Sequence, residues 1–183
     1  MFVIEHMDGR LYKWSELEYR HISAMAGKEN VMFTNLTSAQ CRKLAALGKT
    51  ETKSATELNL KNACLLDPSA KKTLTAADDF DYYIVGGVLG DDPPRERTKQ
   101  ELGPHFPSAR NLGKKQFSTD TAVLVAGMIL NGTPLNKIRF ADGLEIEISE
   151  TDSTTFPFRY VIINDEPVIT PGLVEYLRKR PYF

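Results

Sequence analysis

Phe80-Asp81-Tyr82-Tyr83-Ile84-Val85-Gly86-Gly87-Val88-Leu89-Gly90-Asp91-Asp92-Pro93-Pro94-Arg95-Glu96-Arg97-Thr98 is the stretch that decides the fold. The apolar run Tyr82-Tyr83-Ile84-Val85 passes straight into Gly86-Gly87, and Gly90 follows. A short apolar run ending on glycines predicts a buried strand that delivers a tight turn. A nucleotide-type GxGxxG turn does not fit. The hexapeptide ending at Gly90 begins with Val85, and Asp91-Asp92-Pro93-Pro94 stands where a helix should start. Amides at a helix N-terminus bind pyrophosphate, and two acids there repel one. Glycines at the carboxyl end of a strand still let backbone approach a flat ligand closely. Asp91 and Asp92 favour a cationic ligand or substrate. The competing reading is a tight turn with solvated acids.

Working outward, short apolar strands are predicted at 2–5, 30–34, 63–66 and 108–111. Helices alternate with them. One spans 13–26, with Trp14, Leu17, Glu18, His21 and Met25 at helical spacing. Another runs from a Ser38 cap to Leu47, with Gly48 in the left-handed position after it. Short helices are expected at 75–79 and 95–102. The clearest helix is 121–130, TAVLVAGMIL, capped by Asp120 or Thr119 and apolar almost all round. Uniformly apolar strands alternating with helices mean an α/β fold with a mostly parallel sheet covered by helices on both faces. Past Asn131 the pattern changes, with strands expected at 145–148 and 158–163 and a terminal helix at 170–180. The expected organisation is a single domain over 1–183: a core over 1–135 and a strand and helix extension over 136–183. Residues 49–61 show no clear period and read as a loop.

Composition limits the function. The chain has 183 residues, 23 Lys plus Arg against 24 Asp plus Glu, and a formal net charge of −1. Global charge therefore cannot hold nucleic acid. Cys41 and Cys64 form no CxxC pair, which excludes a disulfide framework and points to a reducing compartment, cytoplasmic or nuclear, with the cytoplasm expected. His6, His21 and His105 are scattered, so no metal site is expected. The first residues do not read as a signal peptide, and no apolar run is long enough for a membrane helix. Charge is unevenly placed. Between Arg95 and Lys115 lie six Lys or Arg and two Glu, and between Ala141 and Thr155 lie five acids and no base.

Two further places hold candidate chemistry. Arg110-Asn111-Leu112-Gly113-Lys114-Lys115-Gln116-Phe117-Ser118-Thr119-Asp120-Thr121-Ala122 is a strand end, a glycine turn, a polar loop and a capped buried helix. Loops of this kind at the carboxyl edge of a parallel sheet are where α/β proteins place ligands. Glu5-His6 closes the first strand, with Glu18 on the next helix, and either carboxylate can act as a proton acceptor. The competing readings are an ordinary loop with a good cap and polar residues satisfied in turns. Trp14, Phe156, Phe158 and Tyr160 read as core, and Cys64 as a buried inert thiol.

Three sets of residues together go beyond a generic α/β pattern. They are Ile4-Glu5-His6-Met7 with Trp14 and Leu17-Glu18-Tyr19; Cys64-Leu65-Leu66-Asp67-Pro68; and the opening stretch, continuing into Arg110 through Ala122 and Pro157-Phe158-Arg159-Tyr160-Val161. With these strings the chain resembles a small family of SPOUT-superfamily methyltransferases long labelled as RNA methyltransferases. Its best-understood fungal member methylates arginine in a small-subunit ribosomal protein. The departures lie in 49–62 and at the C-terminus.

The resemblance implies a SPOUT-type trefoil-knotted sheet, which periodicity cannot reveal because knots are rare. It implies an S-adenosyl-L-methionine (SAM) site, with S-adenosyl-L-homocysteine as product. Gly86, Gly87, Leu89, Gly90 and Asp91 form one wall, and Leu112, Gly113, Lys115, Gln116, Thr119 and Thr121 the other, with Leu66, Asp67 and Pro68 nearby. For catalysis on an arginine, a carboxylate must orient the charged guanidinium, and the candidates are first Asp91, then Glu5 and Glu18. The implied substrate is a ribosomal-protein arginine, received by the acidic segment, and the implied state is a monomer. An rRNA or tRNA acceptor stays open, contacted through Arg95, Arg97, Lys99, Arg110 and Lys114. A ribosome-associated binding module without catalysis stays open too.

Overall fold

The computed structural model describes residues 1–88, 96–148 and 153–179. The strands are β1 Phe2–His6, β2 Val31–Thr34, β3 Lys49–Thr50, β4 Ala63–Leu66, β5 Tyr82–Gly87 and β6 Ala109–Arg110. They form one sheet in the order β3-β2-β1-β5-β4-β6, with every pair parallel. Both faces are covered, which is why the strands read as apolar runs without alternation. On one face Ile4, Phe33, Cys64, Tyr83 and Val85 pack with α1 (Lys13–Ala26) and α3 (Thr119–Leu130). On the other, Val3, Leu65 and Ile84 pack with Ala55, Leu102 and Phe106. Cys64 is a core residue whose thiol burial pushes up to about 11, so it stays protonated.

Helix α1 presents two stripes. Tyr19 and Ile22 face the sheet, and Tyr19 Oη lies 2.9 Å from His6 Nδ1. Trp14, Leu17, Glu18 and His21, the stripe predicted from spacing, turn toward α3 and the C-terminal part. The second helix differs from its predicted form. Helix α2 spans Ser38–Leu44 and is capped by Thr37, whose hydroxyl accepts from Gln40 N while Gln40 Oε1 accepts from Thr37 N. This reciprocal capping box outcompetes Ser38 as the start. Gly48 is not left-handed: a Cβ there would overlap the Val31 carbonyl, so the glycine serves close approach to β2.

Other boundaries also move. The expected helix at 75–79 is a turn, because Asp78 Oδ2 accepts from Thr75 N and closes it locally. The expected helix at 95–102 is a single wide turn, Thr98–Leu102, followed by a 3-10 turn at Gly103–His105. Helix α3 begins at Thr119 after Ser118, so Asp120 lies inside its first turn. Part of the segment at 49–61 that reads as a loop becomes β3 at the sheet edge.

Beyond α3 the architecture changes, as the sequence pattern changes. Strands β7 (Phe140–Glu147), β8 (Ser153–Ile163) and β9 (Glu166–Pro167) form an antiparallel sheet. A bulge at Gly143, φ +71°, interrupts the β7–β8 register. The terminal helix α4 is shorter than expected, Leu173–Arg178. Phe156, Phe158, Tyr160, Leu173 and Leu177 form a separate core that closes over Trp14 and Leu17 of α1. The Trp14 and Phe156 rings are 5.3 Å apart, so these aromatics are core, as read from sequence.

Glu5 is a structural buckle. It is 2% exposed and sits at the end of β1. Its carboxylate accepts from Thr34 Oγ1 (2.5 Å), Ser54 Oγ (2.6 Å) and the Ala55 amide (2.8 Å), tying the 51–60 loop to the sheet. Glu5→Ala removes the acceptor shared by all three donors. The buried Ala55 amide loses its carboxylate partner, and Thr34 Oγ1 and Ser54 Oγ fall back on the Ile4 carbonyl and Thr56. The expected cost is about 2–3 kcal/mol of unfolding free energy, read from urea denaturation; a loss below about 0.5 kcal/mol contradicts the buckle.

Candidate active site

The parallel sheet carries the ends of β4, β5 and β6 to one edge, where their loops meet the start of α3. A cavity of about 510 Å³ lies between them, within the usual range for a small-molecule site. Leu66, Asp67, Pro68 and Ser69 line it from β4, and Val85, Gly86 and Val88 from β5. Leu112, Gly113, Lys114, Gln116 and Phe117 come from the loop after β6, and Ser118, Thr119 and Ala122 from α3. Glu96, Arg97, Thr98 and Lys99 complete the rim.

Glycine is required at two of these positions. A Cβ on Gly86 would overlap the Thr98 hydroxyl and crowd Met7 Sδ. Gly113 has φ +99°, a conformation side chains disfavour, and its amide donates to Asn111 Oδ1 at 3.0 Å. Asp67 folds back on its own turn, accepting from Ser69 N and Ser69 Oγ, both at 2.8 Å. The loop after β6 is braced from behind by the C-terminal sheet. Arg159 N donates to Gln116 O at 2.9 Å, and the Phe117 and Phe140 rings are 5.6 Å apart.

The cavity thus gathers Leu66, Asp67, Pro68, Gly86, Leu112, Gly113, Gln116 and Thr119 of the residues singled out from sequence. Three others stand outside its lining. Gly87 packs beneath it, where a Cβ would overlap the Tyr19 hydroxyl. Lys115 is drawn away by Asp142, 2.7 Å from its Nζ, and Lys114 lines the cavity in its place. The buried Thr121 Oγ1 lies 2.8 Å from Ser118 Oγ. Leu89, Gly90, Asp91 and Arg95 lie outside the described residues. Val85, Val88, Ser69, Glu96, Thr98, Phe117, Ser118 and Ala122 were not singled out. All of these except Ser69 sit within the quoted strings, so contiguity with the chosen residues was the available signal.

The two lesser carboxylates do not line the cavity either. Glu5 is the buckle already described. Glu18 is 4% exposed and accepts from Trp14 Nε1 at 2.8 Å, one layer behind Thr119. Burial, reinforced by the nearby Asp120, pushes its carboxyl up to about 8.

The basic stretch is largely compensated internally. Arg97 bonds Asp8, Glu101 and the Met7 carbonyl; Lys99 pairs with Glu96; Arg110 pairs with Asp78 at 2.7 Å. The acidic segment is compensated in part. Arg159, then Lys115, hold the Asp142 carboxyl well below the usual range, while Glu145 and Glu147 stay exposed on β7. Among the described residues no group of three His, Cys, Asp or Glu side chains could hold a metal ion. No described helix is long and apolar enough to cross a membrane.

Comparison with known proteins matches residues 1–181 to a family model described as protein arginine N-methyltransferase SFM1-like. The chain belongs to the SFM1-like protein arginine N-methyltransferases. It is accordingly a SAM-dependent enzyme that methylates arginine in protein. It is 35% identical to protein arginine N-methyltransferase SFM1 of Saccharomyces cerevisiae (strain ATCC 204508 / S288c), over 97% of this chain and 94% of that one. The crystal structure of yeast SFM1 complexed with SAM has a TM-score of 0.87 at 34% identity, covering 97% of this chain and 89% of that one. A Trm10 structure from Thermococcus kodakaraensis shares the fold, with a TM-score of 0.56 at 16% identity over 74% of this chain and 95% of that one. The SPOUT-like architecture expected from the strings is therefore present.

Gly113→Val tests the lining of this SFM1-like site. A β-branched residue at φ +99° costs about 1–3 kcal/mol locally. SAM affinity measured by calorimetry should fall about tenfold or more, while the far-ultraviolet spectrum stays unchanged.

Proposed function

We propose that this cavity holds SAM and that the enzyme methylates an arginine of a small-subunit ribosomal protein, acting as a monomer in the cytoplasm. The observation that carries the reading is the cavity's own chemistry. Its lips are glycines where a Cβ would clash or strain, and its walls include Leu66, Val85, Val88 and Leu112. Such apolar walls fit a flat ring. When bound, the cofactor supplies an electrophilic methyl group. Leu66, Val85 and Leu112 are the apolar surface for its ring, and the backbone at Gly86 and Gly113 permits close approach.

The remaining work is alignment, because methyl transfer is an in-line displacement. A guanidinium has a pKa above about 12 and arrives charged. A carboxylate must orient it through charge-assisted bonds, and the proton leaves as the methyl arrives. Asp91 takes that role in this reading, following directly from the glycine turn after β5. Glu5 is withdrawn from it, because its oxygens already hold Thr34, Ser54 and Ala55. The exposed Glu145 and Glu147 of β7 offer negative charge for basic residues around the target.

The ion pairing of Arg97, Lys99 and Arg110 favours protein over RNA as acceptor, since these cations already have partners. With labelled SAM, label should enter a small-subunit ribosomal protein and not naked ribosomal RNA; label in RNA overturns the acceptor. Asp91→Ala should lower kcat about a hundredfold or more, far more than it weakens SAM binding. Intact turnover on the true substrate removes Asp91 from the mechanism.

A further inference from the structure

The most unusual cluster outside the cavity lies directly behind it. Asp120, 1% exposed in the first turn of α3, is held by four donors. Oδ1 lies 2.7 Å from Ser118 Oγ and 2.9 Å from Thr121 N. Oδ2 lies 2.6 Å from Thr170 Oγ1 and 2.7 Å from His21 Nδ1. These groups come from three places in the chain: the loop and helix that wall the cavity, helix α1, and the segment leading into α4. Glu18 is the second acid here, with Trp14 on one side and the Thr119 hydroxyl and amide on the other.

We propose that Glu18 and Asp120 are positioning residues of the methyl-transfer site, clamping the Ser118–Thr119 wall of the cavity between α1 and the C-terminal segment. The inference rests on the reading of the cavity as the SAM site. Ser118 and Thr119 line that cavity, and each touches one of the two acids. A shift of the clamp therefore moves the wall directly. Neither acid lines the cavity, so neither is assigned a bond to the reacting atoms.

The chemistry of the enclosure makes the clamp sensitive to pH. Around Glu18 stand Trp14, Tyr19 and His21 from its own helix, Asp120 from α3 and Tyr160 from β8. Among the described residues no Lys or Arg pairs with either acid. Tyr160 is 1% exposed with an unpartnered hydroxyl, and burial, then Asp120 and Glu18, push its phenol up, so it stays neutral. Burial and the charge of Asp120 keep a proton on Glu18 near neutral pH, with its carboxyl at about 8, while Trp14 and Thr119 pull weakly the other way. Losing that proton places a second negative charge beside Asp120 in a buried pocket where, among the described residues, no Lys or Arg meets it. The folded protein binds this proton more tightly than the unfolded chain does. Stability contributed by the neutral acid is complete below the ordinary glutamate range and is lost as pH rises through about 8.

The test compares Glu18→Gln and Glu18→Ala with the wild type, reading SAM affinity by calorimetry and midpoint temperature without ligand from about pH 7 to about pH 9. Wild-type affinity and midpoint should both fall across that range. Glu18→Gln, which keeps the shape of the neutral acid, should bind SAM like the wild type near pH 7 and lose the Glu18-dependent part of both slopes. Glu18→Ala should bind about tenfold more weakly throughout. Parallel wild-type and Glu18→Gln profiles overturn the proposal. So does a Glu18→Gln enzyme that binds SAM normally but has no turnover at any pH, because Glu18 would then serve the reacting nitrogen itself. Thr170→Val removes one donor from Asp120 far from the cavity. It should raise KM for SAM about three- to fivefold with kcat unchanged, and an unchanged KM overturns the clamp. Normal SAM binding by Gly113→Val instead overturns the cavity assignment, which separates the two failures.

Discussion

Asp120 is the constraint on which the arrangement depends. A carboxylate 1% exposed is tolerable only when its lone pairs are filled. The chain fills them from α1, from the mouth of α3 and from the segment before α4. The aromatic core of Phe156, Tyr160 and Leu173 then closes over Trp14 and Leu17. Thr170 of that set adds a buried directional bond from the C-terminal part. It joins those made at the loop after β6, Arg159 N to Gln116 O and Lys115 to Asp142. Together these bonds hold the unit in register behind the cavity.

The cavity itself follows from parallel strand direction. Strands β4, β5 and β6 all end at the same edge, so their loops must converge there. Glycine is needed there at Gly86, where a Cβ would overlap Thr98, and at Gly113, whose φ of +99° side chains disfavour. The outer brace, Arg159 N to Gln116 O and Phe117 against Phe140, makes the C-terminal sheet part of the site although it supplies no lining residue. The shape of the cavity wall depends on both sheets.

Much of the fold was legible because strands buried on both faces must be apolar throughout. The runs at Phe2–His6, Ala63–Leu66 and Tyr82–Gly87 show this directly. Boundaries were less legible where neighbouring residues compete for one job. Thr37 and Ser38 can both cap, and the Gln40 side chain decides between them. Ser118, Thr119 and Asp120 are all good cap residues, and the tertiary partners His21 and Thr170 draw Asp120 into the helix. Lys115 and Lys114 are indistinguishable in sequence, and only the position of Asp142 separates them.

The sequence by itself determined the α/β class, the glycine turns at the strand ends and, through its long strings, the family. Those features are local in the chain, and each residue carries its own steric or hydrophobic requirement. Tertiary structure decided the roles of the carboxylates. Glu5 became a loop buckle, Glu18 a buried proton holder and Asp120 a four-donor joint. The reason is that a carboxylate's chemistry depends on its burial and on partners 29 to 99 residues distant in sequence, and no spacing along the chain encodes that.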